Sequence, residues 1–200
     1  MPLRSGKVPR DAVRHPLFAR CYARVSVAAE NRMGMDRVRE RLLAGLSGRV
    51  IEIGAGNGLN FGHYPGAVSE VVAIEPERRL RQLAVEAALR AEVPVDVVPG
   101  VAEALPVKSE GFDAAVVSLV LCSVRDVPRA LGELRRVLRP GGEVRFFEHG
   151  RGGGRVMTFS QRALDRTLWP DRRVLMPEQG PVLPASYCVL GTAWRPGISG

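Results

Sequence analysis

The sequence predicts an α/β fold with a doubly wound, mostly parallel sheet. Short apolar segments rich in β-branched residues alternate with longer segments of helical periodicity. The first strand segment runs directly into a glycine turn, Gly54 to Gly58, and a later helix stops at Pro140-Gly141-Gly142 before a further strand. Strands that alternate with helices form parallel sheets covered on both faces, and right-handed crossovers make the doubly wound topology the economical arrangement.

Each element follows from its local pattern. Apolar residues between Pro16 and about Gly45 recur every three or four positions, which predicts two helices broken near Asn31 to Gly34. Short runs of β-branched or aromatic residues predict strands at 49–53, 71–74, 95–98, 112–121 and 143–148. Helical periodicity predicts helices at 77–91, 126–138 and 156–168, the second with Asp126 as its N-cap and Pro128 in its first turn.

Three regions are predicted along the chain: an N-terminal helical cap at 1–45, a main domain at 46–170 and an irregular or disordered tail at 171–200. Beyond Val174 the sequence contains four prolines, scattered glycines and a single acidic residue, Glu178. No amphipathic period is visible there. We therefore expect no strand between Val174 and Gly200.

Composition limits the classes of protein and partner. The 200 residues leave room for one ordinary domain, and the 29 basic residues against 21 acidic ones give a net charge of +8. Nearly all the basic residues are scattered arginines without aromatic interleaving, which favours a solvated basic surface over a nucleic-acid partner. The three widely spaced cysteines indicate neither disulfides nor zinc, and no run predicts a membrane span or export signal. A cytoplasmic location is expected.

The glycine turn and an acid further along form the most informative pattern. The strand ending at Ile53 enters Gly54-Ala55-Gly56-Asn57-Gly58, and the next strand ends at Glu75, 21 positions after Gly54. Glycines let the backbone turn tightly beside a ligand, and an acid at the tip of the second strand can accept both hydrogen bonds of a ribose diol. A plain tight turn would explain the glycines alone, but not the correctly spaced acid. The pattern predicts a nucleotide-type ligand.

The glycine spacing of the turn limits the class of nucleotide-type ligand that it suits. Dinucleotide sites favour GxGxxG, whereas this turn reads GxGxG and follows a second acid, Glu52. Two acids beside one turn suit a ribose with a cationic amino-acid end better than an anionic phosphate linker. S-adenosylmethionine has that character.

The motifs also resemble a known family, the class I S-adenosylmethionine-dependent methyltransferases of the type 11 group. The general motifs are 50–58, 75–76, 102–106, 112–113 and 136–142. Segments 60–65, 119–124 and 147–149 are similar to the branch that contains the alkyl thiol S-methyltransferases. The resemblance covers about His15 to Trp169 and implies a Rossmann-like methyltransferase fold. Relatives complete the sheet with an antiparallel hairpin, so a chain without strands after Val174 is expected to lack a normal C-terminal β-hairpin.

The resemblance also implies roles for individual residues. The glycines would pass under the methionine and ribose moieties, Glu52 would support the loop, and Glu75 would hold the ribose hydroxyls. The adenine edge would meet Ala102 and Glu103, although Val101 stands where many relatives have an acid. The implied cofactor-binding set is Glu52, Gly54, Ala55, Gly56, Gly58, Glu75, Pro76, Ala102, Glu103 and Ser118.

Two further residues are candidates for the reaction itself. Ser118 to Cys122 would face the methyl group and the acceptor, but the composition of this buried strand favours Cys122 as a small core residue. His149 follows the fifth strand at the ligand-binding edge, where it either accepts a proton or simply bonds a carbonyl. Neither residue is required as a base, because positioning and desolvation can carry most of a methyl transfer. No metal is predicted.

These observations favour an S-adenosylmethionine-dependent methyltransferase acting on a small molecule, with a thiol acceptor suggested by the branch motifs. A quinone-biosynthesis C- or O-methyltransferase shares the general motifs. A nucleic-acid methyltransferase is less favoured, because Ser118-Leu119-Val120-Leu121 stands where base-methylating enzymes have an Asn/Asp-Pro-Pro-aromatic motif. A catalytically impaired cofactor-binding protein is the alternative outside the enzymes. The oligomeric state stays open.

Overall fold

The computed structural model describes residues 35–149 and 188–195, and three helices and six strands lie within those ranges. The helices are α1 (Met35–Leu43), α2 (Arg78–Ala88) and α3 (Val127–Val137). The strands are β1 (Gly48–Ile53), β2 (Val68–Ile74), β3 (Val95–Val98), β4 (Phe112–Ser118), β5 (Leu138–His149) and β6 (Cys188–Trp194).

The strands form one sheet in the order β3-β2-β1-β4-β5-β6. β1 to β5 pair in parallel, and β6 pairs with β5 in the antiparallel sense. The order reverses between β1 and β4, because the chain first builds outward through β2 and β3 and then returns to the other side of β1. This confirms the predicted doubly wound sheet. In such sheets the crevice at the carboxyl ends of the strands beside the reversal is where ligands bind.

Helices cover both faces of the sheet. Alternate residues of a strand point to opposite faces, so Ile51 packs with Leu131 and Leu134 of α3 on one face. Val50 packs with Leu42 of α1 and with the helix α2 on the other face. Because both faces are buried, the inner strands are almost continuously apolar, as parallel strands usually are.

Both longer helices begin at a capping carboxylate. The Glu77 side chain accepts the N–H of Leu80 at 2.9 Å at the start of α2. The Asp126 side chain accepts the N–H of Arg129 at 3.0 Å at the start of α3, which confirms the predicted cap. Each cap satisfies a backbone donor that has no partner within its helix. α1 matches the second predicted N-terminal helix, and the first, together with the predicted helix at 156–168, lies outside the described residues.

The expectation of a tail without strands is wrong at one place, because β6 runs through Cys188–Trp194. It pairs with β5 from Glu143↔Trp194 to His149↔Cys188, and Arg195 exchanges backbone hydrogen bonds with Gly141 and Gly142. A glycine inside a strand normally weakens it. At Gly191 the glycine is needed, because a Cβ there would overlap the Phe146 ring. The rest of 171–200 lies outside the described residues, apart from Arg195.

Helices long and apolar enough to cross a bilayer do not occur among residues 35–149 and 188–195.

Replacing Gly191 with alanine is expected to lower the free energy of unfolding by about 1–3 kcal/mol, because the new methyl group must displace the Phe146 ring in a packed sheet. Urea unfolding followed by circular dichroism measures the change. Gly132→Ala is the matched control: this exposed glycine lies inside α3 with open space around it, so the same substitution should stabilise the protein by about 0.5–1 kcal/mol. A Gly191→Ala variant as stable as the unmodified protein would contradict the packing of β6 on Phe146.

Candidate active site

The glycine turn closes over the end of β2. The N–H groups of Gly54 and Ala55 both donate to the carbonyl of Ile74, at 2.8 and 3.1 Å. The Gly56 N–H donates to a carboxylate oxygen of Glu75 at 2.8 Å. These three backbone N–H groups are therefore bonded within the protein. A pyrophosphate cradle needs such donors free to face the ligand, so this turn is not arranged as one.

The glycines of the turn are required by their conformation and by their neighbours. Gly54, Gly56 and Gly58 all have positive φ angles, of 67°, 58° and 81°. A Cβ on Gly54 would overlap the Val120 side chain, and one on Gly58 would lie 2.8 Å from carbon atoms of Phe61. The turn therefore fits closely between β2 and the chain that follows β4.

Glu75 sits under the turn as a buried carboxyl, 4% exposed. Besides the Gly56 N–H, it accepts the backbone N–H of Glu77 at 2.8 Å. Burial raises the pKa of Glu75 to about 7, against the opposing effect of the two backbone hydrogen bonds. Each carboxyl oxygen has accepted one hydrogen bond, so each keeps acceptor capacity for a further donor such as a ribose hydroxyl.

Glu52 belongs to a buried network behind the turn. Its two carboxyl oxygens accept hydrogen bonds from the Asn60 amide and the Tyr64 hydroxyl, each at 2.8 Å. The Arg39 guanidinium of α1 donates in turn to the Asn60 carbonyl oxygen at 2.6 Å. Burial raises the pKa of Glu52 to about 7, although both bonds and the Arg39 charge favour its ionised form. Burial and the Glu52 charge raise the pKa of Tyr64 well above its usual value, so Tyr64 stays a donor.

A cavity of about 530 Å³ opens beside the turn at the carboxyl edge of the sheet. This volume is typical of small-molecule sites. Its walls come from the ends of β1 and β2 and from the segments that follow β3 and β4. The lining residues are Ile53, Gly54, Ile74, Pro76, 100–104, Val120, 123–126 and Arg129. Most of the lining residues are apolar, and the charged ones are two arginines and two acids.

Several predicted cofactor residues meet at this cavity. Gly54, Pro76, Ala102 and Glu103 line it directly. The carboxylate of Glu103 accepts the backbone N–H groups of Arg125 and Asp126, at 3.0 and 3.3 Å. Glu103 thus joins the wall that follows β3 to the wall that follows β4, a contact that the sequence did not indicate.

The three candidates nearest the reaction occupy different positions. Ser118 is the last residue of β4 and is not among the cavity-lining residues. Cys122 is exposed in a short 3-10 turn, and partial burial together with the nearby Glu148 charge raises its thiol pKa. A raised pKa disfavours the thiolate and therefore a nucleophilic role. His149 ends β5 opposite Cys188, and its side chain lies outside the described part of the structure.

Two further residues contribute to this edge: Val120 lies within the segment 118–122 that the sequence analysis placed toward the methyl group, and Glu148 lies within the motif 147–149, where the sequence analysis gave it no role. Val120 lines the cavity and seats against Gly54. Glu148, at the end of β5, is 6% exposed and accepts the N–H groups of Val120 and Leu121. Burial raises the pKa of Glu148 to about 7. The available signal was an acid directly after the apolar pair Phe146-Phe147 at the end of a predicted strand, because burying a charge requires a structural or functional reason.

Across residues 35–149 and 188–195, no group of His, Cys, Asp and Glu side chains is placed to hold a metal ion.

Comparison with known proteins identifies what this arrangement is similar to. A family model described as "Methyltransferase domain" matches residues 51–146, which span the strands from β1 into β5. Human thiol S-methyltransferase TMT1B is 39% identical over 115 residues, covering 54% of this chain and 46% of that protein. The chain thus spans about half the length of this relative.

Two other similarities cover more of the chain. The ubiquinone/menaquinone biosynthesis C-methyltransferase UbiE of Syntrophotalea carbinolica is 30% identical over 166 residues, covering 78% of this chain and 69% of that enzyme. A crystal structure from Thermotoga maritima, described as a SAM-dependent methyltransferase and possible histamine N-methyltransferase, superposes with a TM-score of 0.53. It is 28% identical and covers 66% of this chain and 60% of its own.

The three buried carboxyls predict how stability depends on pH. Glu52, Glu75 and Glu148 have pKa values of about 7 in the folded state, above the ordinary value of 4.5. The folded state therefore binds protons more tightly than the unfolded chain, so their contribution is full below about pH 4.5 and is lost as the pH rises through about 7. The free energy of unfolding is expected to fall between pH 5 and pH 8.

Urea unfolding at several pH values measures this slope. Glu52→Gln should reduce the dependence of the free energy of unfolding on pH, because glutamine does not titrate. The Tyr64 hydroxyl can still donate to the amide oxygen of the glutamine. Glu86→Gln, on the exposed face of α2, is the control and should leave the slope unchanged. Stability that rises across this range would contradict the burial of these carboxyls in the folded protein.

Proposed function

Because the chain belongs to the methyltransferase domain family, in which S-adenosyl-L-methionine is the cofactor, we propose that it transfers a methyl group to a small-molecule acceptor, in the first place a thiol. The observation that carries the proposal is the glycine turn, held on Glu75 beside the 530 Å³ cavity. The arrangement lies at the topological reversal of the sheet, where α/β proteins bind nucleotide ligands.

The residues present fit this cofactor. The cavity volume is within the range of sites for ligands of this size. Ile53 and Ile74 offer apolar contact to an adenine ring, and Glu75, which lies between the lining residues Ile74 and Pro76, keeps acceptor capacity for the ribose hydroxyls. The backbone donors of the turn are already used within the protein, which suits a cofactor without a phosphate linker.

In this proposal S-adenosylmethionine supplies a methyl group bonded to a positively charged sulfur. The chain binds and orients it: the turn allows close approach of the backbone, Glu75 would accept from the ribose, and the cavity wall at Val120 excludes water from the reacting end. Holding the two reactants in line in a site shielded from water can supply most of the rate. Ser118, Cys122 and His149 stay candidates for contact with the acceptor.

A thiol acceptor is supported by the similarity to the thiol S-methyltransferases. In this reaction a bond forms between the acceptor sulfur and the methyl carbon, the bond from that carbon to the sulfonium sulfur breaks, and the thiol proton leaves to solvent. A thiol with a pKa of about 8.5 is already several per cent thiolate at neutral pH, so no strong base is needed.

A quinone-ring acceptor is the second candidate. It is supported by the similarity to UbiE, which extends over more of the chain than the match to the human enzyme. Carbon methylation of a ring requires removal of a proton from carbon or a neighbouring hydroxyl, which gives His149 a stronger role than a thiol would.

Glu75→Ala is expected to weaken binding of S-adenosylmethionine and S-adenosylhomocysteine by about 10- to 100-fold, because charge-assisted hydrogen bonds to the ribose are lost. Isothermal titration calorimetry measures both ligands, with Glu75→Gln as a second variant that keeps one acceptor oxygen. Glu70→Ala is the matched control, because Glu70 lies at the opposite end of β2 and pairs with Arg49 on the surface. A folded protein that binds neither ligand would refute the proposal.

Incubation with an alkyl thiol and S-adenosylmethionine is expected to yield the methyl thioether, detected by mass spectrometry together with S-adenosylhomocysteine. The value of kcat/KM should rise between pH 6.5 and 8.5 as the thiolate fraction grows. Demethylated quinols and simple phenols are tested in parallel. Turnover of a quinol without turnover of any thiol would replace the first acceptor class with the second, and binding without turnover of either would indicate an impaired enzyme.

A further inference from the structure

Glu148 forms an unusual contact at the end of β5. Its Oε1 accepts the backbone N–H groups of two consecutive residues, Val120 at 2.8 Å and Leu121 at 3.0 Å. The carboxyl is 6% exposed, so these bonds form away from water, where charge-assisted hydrogen bonds are strong. One side chain of β5 therefore anchors the backbone that leaves β4.

The anchored segment begins with a strained residue. Leu119 has a positive φ of 54°, a conformation uncommon for residues other than glycine, and its N–H donates to the carbonyl of Phe147 at 2.7 Å. Three consecutive N–H groups, of residues 119–121, are thus bound by the end of β5. Strain of this kind persists only where surrounding contacts enforce it. The Glu148 carboxylate supplies two of those contacts.

The anchored segment also contacts the cofactor side of the site. Val120 lines the cavity, and a Cβ on Gly54 would overlap its side chain. The position of the Val120 backbone therefore sets how closely the wall after β4 approaches the glycine turn. A continuous path of contacts runs from Glu148 through Val120 to Gly54.

The second carboxyl oxygen of Glu148 makes no hydrogen bond to the described residues. This oxygen, Oε2, is buried. Glutamine can therefore replace glutamate with its carbonyl oxygen at the Oε1 position and its amide at the Oε2 position. No hydrogen bond within the described residues is lost by that exchange. The charge and the hydrogen bonds can consequently be removed separately.

We propose that Glu148 is a positioning residue for methyl transfer, which holds the segment 119–121 through its two backbone hydrogen bonds and thereby fixes Val120 against Gly54 at the wall of the cavity. This rests on the proposed function for its effect on turnover. Glu148 acts through the backbone it holds, not by contact with the reacting atoms.

The experiment compares Glu148→Ala, which removes both bonds, with Glu148→Gln, which keeps an acceptor oxygen. Amide hydrogen exchange at Val120 and Leu121, followed by NMR, is expected to quicken about tenfold or more in Glu148→Ala and to change little in Glu148→Gln. At saturating cofactor, kcat should fall about 10- to 100-fold in Glu148→Ala, while Glu148→Gln retains at least about a third of it. Glu143→Ala, in the middle of β5 where Glu143 forms an ion pair with Arg145, is the control.

Val120→Ala tests the other end of the path if Glu148→Ala does not fold. It leaves both backbone bonds in place and removes the contact with Gly54, so kcat should fall while both amides stay protected. Unchanged exchange at residues 120 and 121 in a folded Glu148→Ala would overturn the inference. The inference would also be overturned if Glu148→Gln kept the amides of residues 120 and 121 protected but lost as much kcat as Glu148→Ala. A fully active Val120→Ala variant would overturn it as well. The exchange data stand even if the wild-type protein binds no S-adenosylmethionine, an outcome that would refute the proposed function separately.

Discussion

The closing of the glycine turn on the end of β2 is the constraint on which the site depends. The turn has to reverse beside β1 while leaving room for Val120 on one side and Phe61 on the other, and a Cβ at Gly54 or Gly58 would collide with those side chains. Its backbone donors are satisfied by the carbonyl of Ile74 and the carboxyl of Glu75. Once these contacts form, the cavity has one fixed wall, and the segments after β3 and β4 supply the others.

Acidic side chains organise the rest of this edge by binding backbone or buried polar groups. Glu52 holds Asn60 and Tyr64 behind the turn, Glu103 joins two walls of the cavity, and Glu148 holds the chain after β4. Burying a carboxyl opposes folding unless hydrogen bonds compensate for lost hydration. The edge that forms the candidate site contains more buried acids than the apolar core beneath it. Such features lower stability and are common at functional sites.

Local patterns were enough to predict the sheet, the capped helix at Asp126 and the position of Glu75 at the end of the strand beside the turn, because periodicity and spacing along the chain determine them. The hydrogen bond between Gly56 and Glu75 was not predicted. The partners of Glu103 and Glu148 lie 22 to 28 residues away and depend on how strands stack, which one sequence does not reveal. β6 was missed for another reason. Its central glycine and nearby prolines are typical of loops, whereas in the structure it pairs with β5 and the glycine leaves room for the Phe146 ring. The roles of Ser118, Cys122 and His149 toward an acceptor stay predictions.

The antiparallel pairing of β5 with β6 has a consequence for synthesis on the ribosome. β5 ends at His149 and its partner β6 begins at Cys188, so β6 cannot cover the outer edge of β5 until residues 188–194 have emerged. An unpaired apolar edge is a template for pairing with other chains. Until β6 pairs with it during translation, this edge is open to misassembly, and a chaperone that covered it would protect the nascent chain.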